Sequence, residues 1–156
     1  MWFLRDSPWG MDSRDEITAP RETGAKPDLA AVERVFELVA GDGVIAGIEH
    51  LVSFCHDDVE MRAYAAQAGG AGSQLGPDLL RGRDEVMAFF RSRVESGFVI
   101  RIRMRGSEVD ADTVFVRGAI RLARPDGSFA ESSVRWKFHF RDGLVDEISW
   151  EPSAGG

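Results

Sequence analysis

The chain has 156 residues, a formal net charge of −7, 44% hydrophobic residues and a single cysteine, Cys55. That length suits one domain that buries roughly two-thirds of its unfolded surface, and the acidic balance weighs against a nucleic-acid partner. The lone cysteine excludes an internal disulfide and suits a reducing, cytoplasmic setting, and no apolar run nears the roughly 18 residues of a membrane span.

Residues 1–27 carry Pro8, Pro20 and Pro27, many charges and no sustained period, so they read as an extension outside the core. Its first apolar stretch, Met1 to Leu4, is too short for a signal peptide. Trp2, Phe3, Leu4 and Trp9 are unusual there and fit either a poorly ordered leader, with Met11 as the natural start, or an arm that docks its aromatics. Only Lys26 and Lys137 are lysines among 19 basic residues, a bias that suits a G+C-rich bacterial source.

From Asp28 the pattern is helical. Leu29, Val32, Val35, Phe36 and Val39 share one face, with Asp28 as cap and Gly41 as stop. Val44, Ile45, Ile48, Leu51 and Val52 predict a second helix. The intervening Gly41-Asp42-Gly43-Val44-Ile45-Ala46 matches a dinucleotide pattern, but it follows a helix where that fingerprint needs a strand. Asp57 and Asp58 read as a helix-to-strand turn, 59–64 as a short strand and 65–78 as a Gly-rich loop. Val86, Phe89, Phe90 and Val94 mark a third helix, with Asp84 and Glu85 at its start.

After Gly97 the period becomes two. Ile100, Ile102 and Met104 alternate with Arg101, Arg103 and Arg105. Val114, Val116, Gly118, Ile120 and Leu122 make the next strand, and Pro125-Asp126-Gly127-Ser128 a turn. Val134, Trp136, Phe138 and Phe140 follow, then the hairpin signal Asp142-Gly143. Leu144, Asp146, Ile148 and Trp150 close the sheet. Helices followed by an antiparallel meander are an α+β order. Ile102, Val116, Ile120, Trp136, Phe138 and Ile148 should point inward, and the arginines outward.

Phe54 to Arg62, Arg81 to Phe90 and Trp136 to Trp150, in this order of elements, resemble the nuclear transport factor 2-like superfamily, in its SnoaL-like and ketosteroid-isomerase-like branch. The resemblance covers about residues 28–151, leaving 152–156 as a tail. It implies three helices packed on a strongly curved, mostly antiparallel sheet, forming a cone with an internal pocket. The superfamily hosts isomerases, cyclases, dehydratases, epoxide hydrolases and non-catalytic binders, so the fold leaves function open. By resemblance, the isomerase's base falls on Arg62 and its two oxyanion donors on Val35 and Trp136; neither the acid nor the base is present, and Val35 cannot donate a hydrogen bond.

If Arg62 takes the position of that base, Glu60, Arg62 and Tyr64 share a strand face on the cavity. A charge there must be paired, and Glu60 is the natural partner. The opposing expectation is a solvated strand edge with Val59 and Met61 inward. The ligand-binding candidates are therefore Arg62, Tyr64, Glu60, Trp136 and Trp150, with Arg62 as anchor for a carboxylate or carbonyl group. No catalytic residue, metal site or cofactor is assigned, because His50, His56 and His139 lack metal-ligand spacing and Cys55 has no suitably placed base. Arg101, Arg103, Arg105, Arg117, Arg121, Arg135 and Lys137 form a basic outer stripe, either solvated and neutralised by cross-strand acids or covered in a homodimer.

Three functions fit these residues. One is a pocket protein for a small apolar metabolite. A second is a cyclase, dehydratase or isomerase with a non-standard site. The third is a dimeric accessory module whose cavity is filled by Trp136, Phe138 and Trp150.

Overall fold

The computed structural model describes residues 26–63 and 79–153. The N-terminal aromatics, Tyr64 and the Gly-rich loop lie outside the described residues. The first helix, α1 (Leu29–Asp42), starts where Asp28 Oδ1 accepts the Ala31 N–H at 2.9 Å. Val32, Val35, Phe36 and Val39 form its buried stripe. The helix runs past Gly41 and stops at Gly43, whose φ of +105° suits glycine and whose N–H meets the Leu38 and Val39 carbonyls.

Helix α2 (Val44–Ser53) follows at once and buries Val44, Ile48 and Leu51. Strand β1 (Cys55–Ala63) starts four residues before the expected Val59, because its first half pairs irregularly. Cys55 pairs with Val145 and the register resumes only at Glu60 and Glu147. Asp57 and Asp58 thus lie in a bulged strand, not in a turn. They pair there with Arg83 and Arg141.

Strand β2 (Leu80–Arg81) is too short to show any period in the sequence, and it pairs antiparallel with β1. Helix α3 (Arg83–Glu95) buries Val86 and Phe90, whereas Val94, read as part of that stripe, is 40% exposed in the last turn. Strands β3 (Val99–Asp110), β4 (Thr113–Ala123), β5 (Phe129–Arg141) and β6 (Leu144–Pro152) complete a curled, unclosed sheet in the order β2-β1-β6-β5-β4-β3. β6 extends into the residues read as a tail. Among the described strands only the β1–β6 pair is parallel.

The inward set holds: Val116, Ile120, Trp136, Phe138 and Ile148 are buried, and Ile102 packs partly buried against them. Arg101, Arg103, Arg105, Arg117 and Arg121 are exposed. Asp142 and Gly143 make the expected hairpin, both at positive φ. One alternation fails. The β5–β6 register shifts between His139 and Phe140, so Asp146 sits at a bulge. Val145 is therefore fully buried, while Leu144 is 37% exposed.

Candidate functional site

The helices and the inner sheet face enclose an apolar cavity of about 50 Å³. Val35, Phe36 and Val39 of α1, Ile48 and Leu51 of α2 and Phe90 of α3 form the helical wall. Met61, Ile102, Ile120, Trp136, Phe138, Ile148 and Trp150 form the sheet wall. Ligand pockets usually exceed roughly 300 Å³. Aromatic rings account for much of the difference: Phe36 meets Trp136 edge-on at 5.0 Å and Phe138 at 6.0 Å. By volume there is room for about four water-sized groups.

Of the five candidate residues, the structure brings Trp136 and Trp150 together on this wall, as cross-strand partners. Trp150 is 5% exposed, and its indole Nε1 is buried with no hydrogen-bond acceptor. Glu60 and Arg62 lie on the opposite face of β1 from Val59 and Met61, which are buried. Arg62 is 3.7 Å from Glu60, which also meets Arg81 at 3.6 Å. The physical reason is strand alternation: with Met61 turned in, Glu60 and Arg62 must turn out. The positions implied for the isomerase's oxyanion donors, Val35 and Trp136, do line the cavity, but β1 contributes Met61 there in place of Arg62. Val59 and Met61 are thus both turned inward, the phase that the opposing expectation gave this strand. The described lining carries no acid or base.

Cys55 donates from Sγ to the Leu51 carbonyl at 3.2 Å, and burial pushes its pKa up to about 12, against a smaller opposing effect of Arg83. It stays a neutral thiol at working pH and is no nucleophile.

The outer face holds a shallow depression of about 340 Å³ between Thr113, Phe115, Lys137, His139 and Glu147. Part of the basic stripe is neutralised within the sheet: Arg121 approaches Glu131 at 3.9 Å and Arg135 approaches Glu151 at 3.8 Å. Arg121 also stacks over Phe129, and Arg135 over Phe115, at 4.0 and 4.2 Å from the ring centres.

At the end of this face His139 sits between two carboxylates, Asp146 at 2.5 Å from Nδ1 and Asp112 at 3.1 Å from Nε2. Arg141 meets the same Asp146 at 3.3 Å and Asp58 at 3.4 Å. This cluster was not read from the sequence. Its signal was the hairpin, which carries Asp146 back beside His139 once the bulge is allowed for. The hydrogen bond to Asp146 leads the causes that raise the His139 pKa above 6.5. A raised pKa means that folding favours the protonated ring. Its stabilisation is complete below pH 6.5 and fades as pH rises through the raised value. The ring is 39% exposed, so solvent screening keeps the effect under about 1 kcal/mol. Urea midpoints at pH 6 and 8 should therefore fall more for wild type than for His139→Gln; equal falls would show that the ring contributes no pH dependence.

Residues 27–148 match the SnoaL-like domain family, and the chain belongs to that family. A search of curated proteins returned no match. Several solved structures share the fold. An NTF2-like protein of unknown function from Burkholderia pseudomallei is 17% identical, with a TM-score of 0.62 over 80% of this chain and 89% of that one. TerC, co-crystallised with polyporic acid, is 18% identical, with a TM-score of 0.61 over 80% of this chain and 90% of its own. An LEH-like epoxide hydrolase of M. tuberculosis is 13% identical, with a TM-score of 0.59 over 80% and 81%. At these identities the likeness is one of fold. No helix of the described residues is long and apolar enough to cross a membrane.

Proposed function

We propose that this SnoaL-like chain holds a small, largely apolar molecule in the cavity between its helices and inner sheet face. The observation that carries the reading is the lining itself: among the described residues, hydrocarbon, thioether and aromatic side chains from every element but β2. Small-molecule sites combine an apolar wall with few polar groups in this way. Trp136 and Trp150 are the ligand-contacting residues, and Glu60 and Arg62, on the other face, take no part in this reading. The relatives of like fold include proteins called a polyketide cyclase and an epoxide hydrolase. A catalytic role would need an acid or base on the wall, and the described lining favours holding over turnover. The test is mass spectrometry of the natively purified protein before and after denaturation. An organic molecule released from wild type and absent from Ile120→Trp, which fills the cavity, is the expected result. Identical spectra from the two proteins would remove the support.

We infer in addition that the outer sheet face pairs with a second copy. Basic residues Arg101, Arg103, Arg105 and Arg117 crowd the β3–β4 side, and the β6–β1 side carries Glu147 together with Glu60 and Glu151, which also meet Arg62, Arg81 and Arg135 of the same chain. A twofold axis near β5 sets each half against its opposite. Light scattering at tens of micromolar, an order-of-magnitude range for a weak dimer, should give twice the 17.2 kDa chain mass, falling toward one chain mass in about 1 M salt. A monomer at low salt would contradict it.

A further inference from the structure

We infer that the β3–β4 side of the outer face is a binding site for a small, multiply charged oxyanion, a compound bearing a di- or triphosphate group, held by Arg101, Arg103, Arg105, Arg117 and Arg121. The inference is independent of the cavity reading. It uses arginines that the pairing reading sets against a partner's acids, so a bound anion should open the pair.

The strand registers carry it. Arg101 of β3 stands directly opposite Arg121 of β4, and Arg117 of β4 directly opposite Arg135 of β5. Between these two rows Arg103, Ala119 and Ser133 align across the three strands. Small side chains thus floor a basin with arginines at both ends and along the β3 side. The register shift between Met104 and Gly106 leaves Arg105 as the inserted residue, next to the Gly106–Arg117 pair. Arg101, Arg103, Arg105 and Arg121 line one depression of about 690 Å³ with Ala119 and Ser133, and it reaches Ala40 of α1 beyond the β3 edge.

Two acids answer part of this charge: Glu131 lies 3.9 Å from Arg121 and Glu151 lies 3.8 Å from Arg135. No acid of the described residues pairs with Arg101, Arg103, Arg105 or Arg117. Like charges set directly opposite in a sheet are destabilising. Two opposed arginine pairs side by side, on a chain of net charge −7, are an unfavourable arrangement that a bound anion reverses. Arg121 is already steadied for this, its guanidinium lying 4.0 Å over the Phe129 ring.

The arginines also narrow the ligand. Each guanidinium is a planar fork that fits two oxygens of a carboxylate or phosphate. A single carboxylate satisfies one fork and leaves the others facing each other. Two or three linked phosphates supply oxygens and charge for several. The β3 rim from Arg101 to Arg105 runs roughly 13 Å, at about 3.3 Å per residue. A nucleic-acid strand would overrun it onto Glu147 and Glu151 of β6, which repel its phosphates.

Isothermal titration calorimetry with inorganic pyrophosphate, at constant low ionic strength, reads the site. Wild type should bind one pyrophosphate per chain. Arg101→Ala and Arg103→Ala remove exposed side chains and no core contact. Each should bind about tenfold more weakly, the factor for a lost hydrogen bond to a charged group. Arg34→Ala removes the same charge from the exposed face of α1, where Arg34 meets Glu37 at 3.2 Å, and should stay within about twofold. No saturable binding to wild type, or an equal loss in Arg34→Ala and Arg103→Ala, would overturn the site. Tighter binding of a short oligothymidylate than of pyrophosphate would overturn the small-anion assignment in favour of nucleic acid. Light scattering with pyrophosphate should show the pair opening into single chains. Binding to a chain that is monomeric from the outset would contradict the pairing reading and leave this site standing. An unchanged pair with pyrophosphate bound would overturn the shared use of these arginines.

Discussion

Phe36→Ala should lower the stability of the domain by about 3–5 kcal/mol, the range for a buried Phe truncated in a well-packed core. Phe36 is 5% exposed on α1 and edges onto both Trp136 and Phe138 of β5. It thus ties the first helix to the centre of the sheet. The side chain also borders the existing cavity, so its loss enlarges a void that the neighbouring rings cannot easily close. Phe36→Leu keeps most of the volume and should cost much less, under about 1.5 kcal/mol. Urea unfolding followed by tryptophan emission and by far-ultraviolet circular dichroism measures both. A loss below about 1 kcal/mol for Phe36→Ala would mean that α1 does not seal the core as described.

The second large effect is expected at Gly118. It lies in the middle of β4, opposite Met104 of β3 and Val134 of β5. A Cβ built there would stand 2.0 Å from the Arg103 carbonyl oxygen and 3.2 Å from Met104 Cα. Those atoms are backbone, so no side-chain rotation relieves the clash. β3 would have to move away, next to the register shift between Met104 and Gly106. Gly118→Ala should therefore cost about 3 kcal/mol, the upper end of ordinary overpacking. Gly41 offers the control, because nothing lies within 4 Å of a Cβ there and it sits in the last turn of α1. Gly41→Ala should be neutral or stabilising by up to about 1 kcal/mol. Similar stability for Gly118→Ala and wild type would show that β3 and β4 do not approach as closely as described.

These two positions differ in how far the sequence revealed them. Phe36 was legible as core, because α1 repeats its apolar residues at helical spacing. Gly118 was legible only as a member of an alternating strand. Its close approach to the Arg103 backbone is a three-dimensional fact that alternation does not carry. Val145 replaces Leu144 on the inner face because Asp146 is the extra residue of a bulge. At β1 the sequence left both phases open, and Met61 rather than Arg62 faces the cavity. Alternation predicts a face well along a regular ladder and loses phase at each inserted residue. Trp136 and Trp150 sit on undisturbed stretches, and both were placed on the wall from sequence alone. The small cavity was not legible, since volume depends on how Phe36, Trp136 and Phe138 interlock. Neither was the missing acceptor at Trp150, which follows from what surrounds the ring in three dimensions.

The most direct test of the binding reading is a methyl chemical-shift map. Isoleucine, leucine and valine methyls would be ¹³C-labelled and the protein equilibrated with increasing pressures of xenon, an apolar probe of one atom. The cavity lies between α1, α2 and the inner sheet face, so the methyls of Ile48, Ile102, Ile120 and Ile148 should shift together with one saturating affinity. Those of exposed Val94, Val99 and Leu144 should stay in place. Shifts confined to the exposed methyls, or four unmoved isoleucines at saturating probe, would contradict a binding site in the interior.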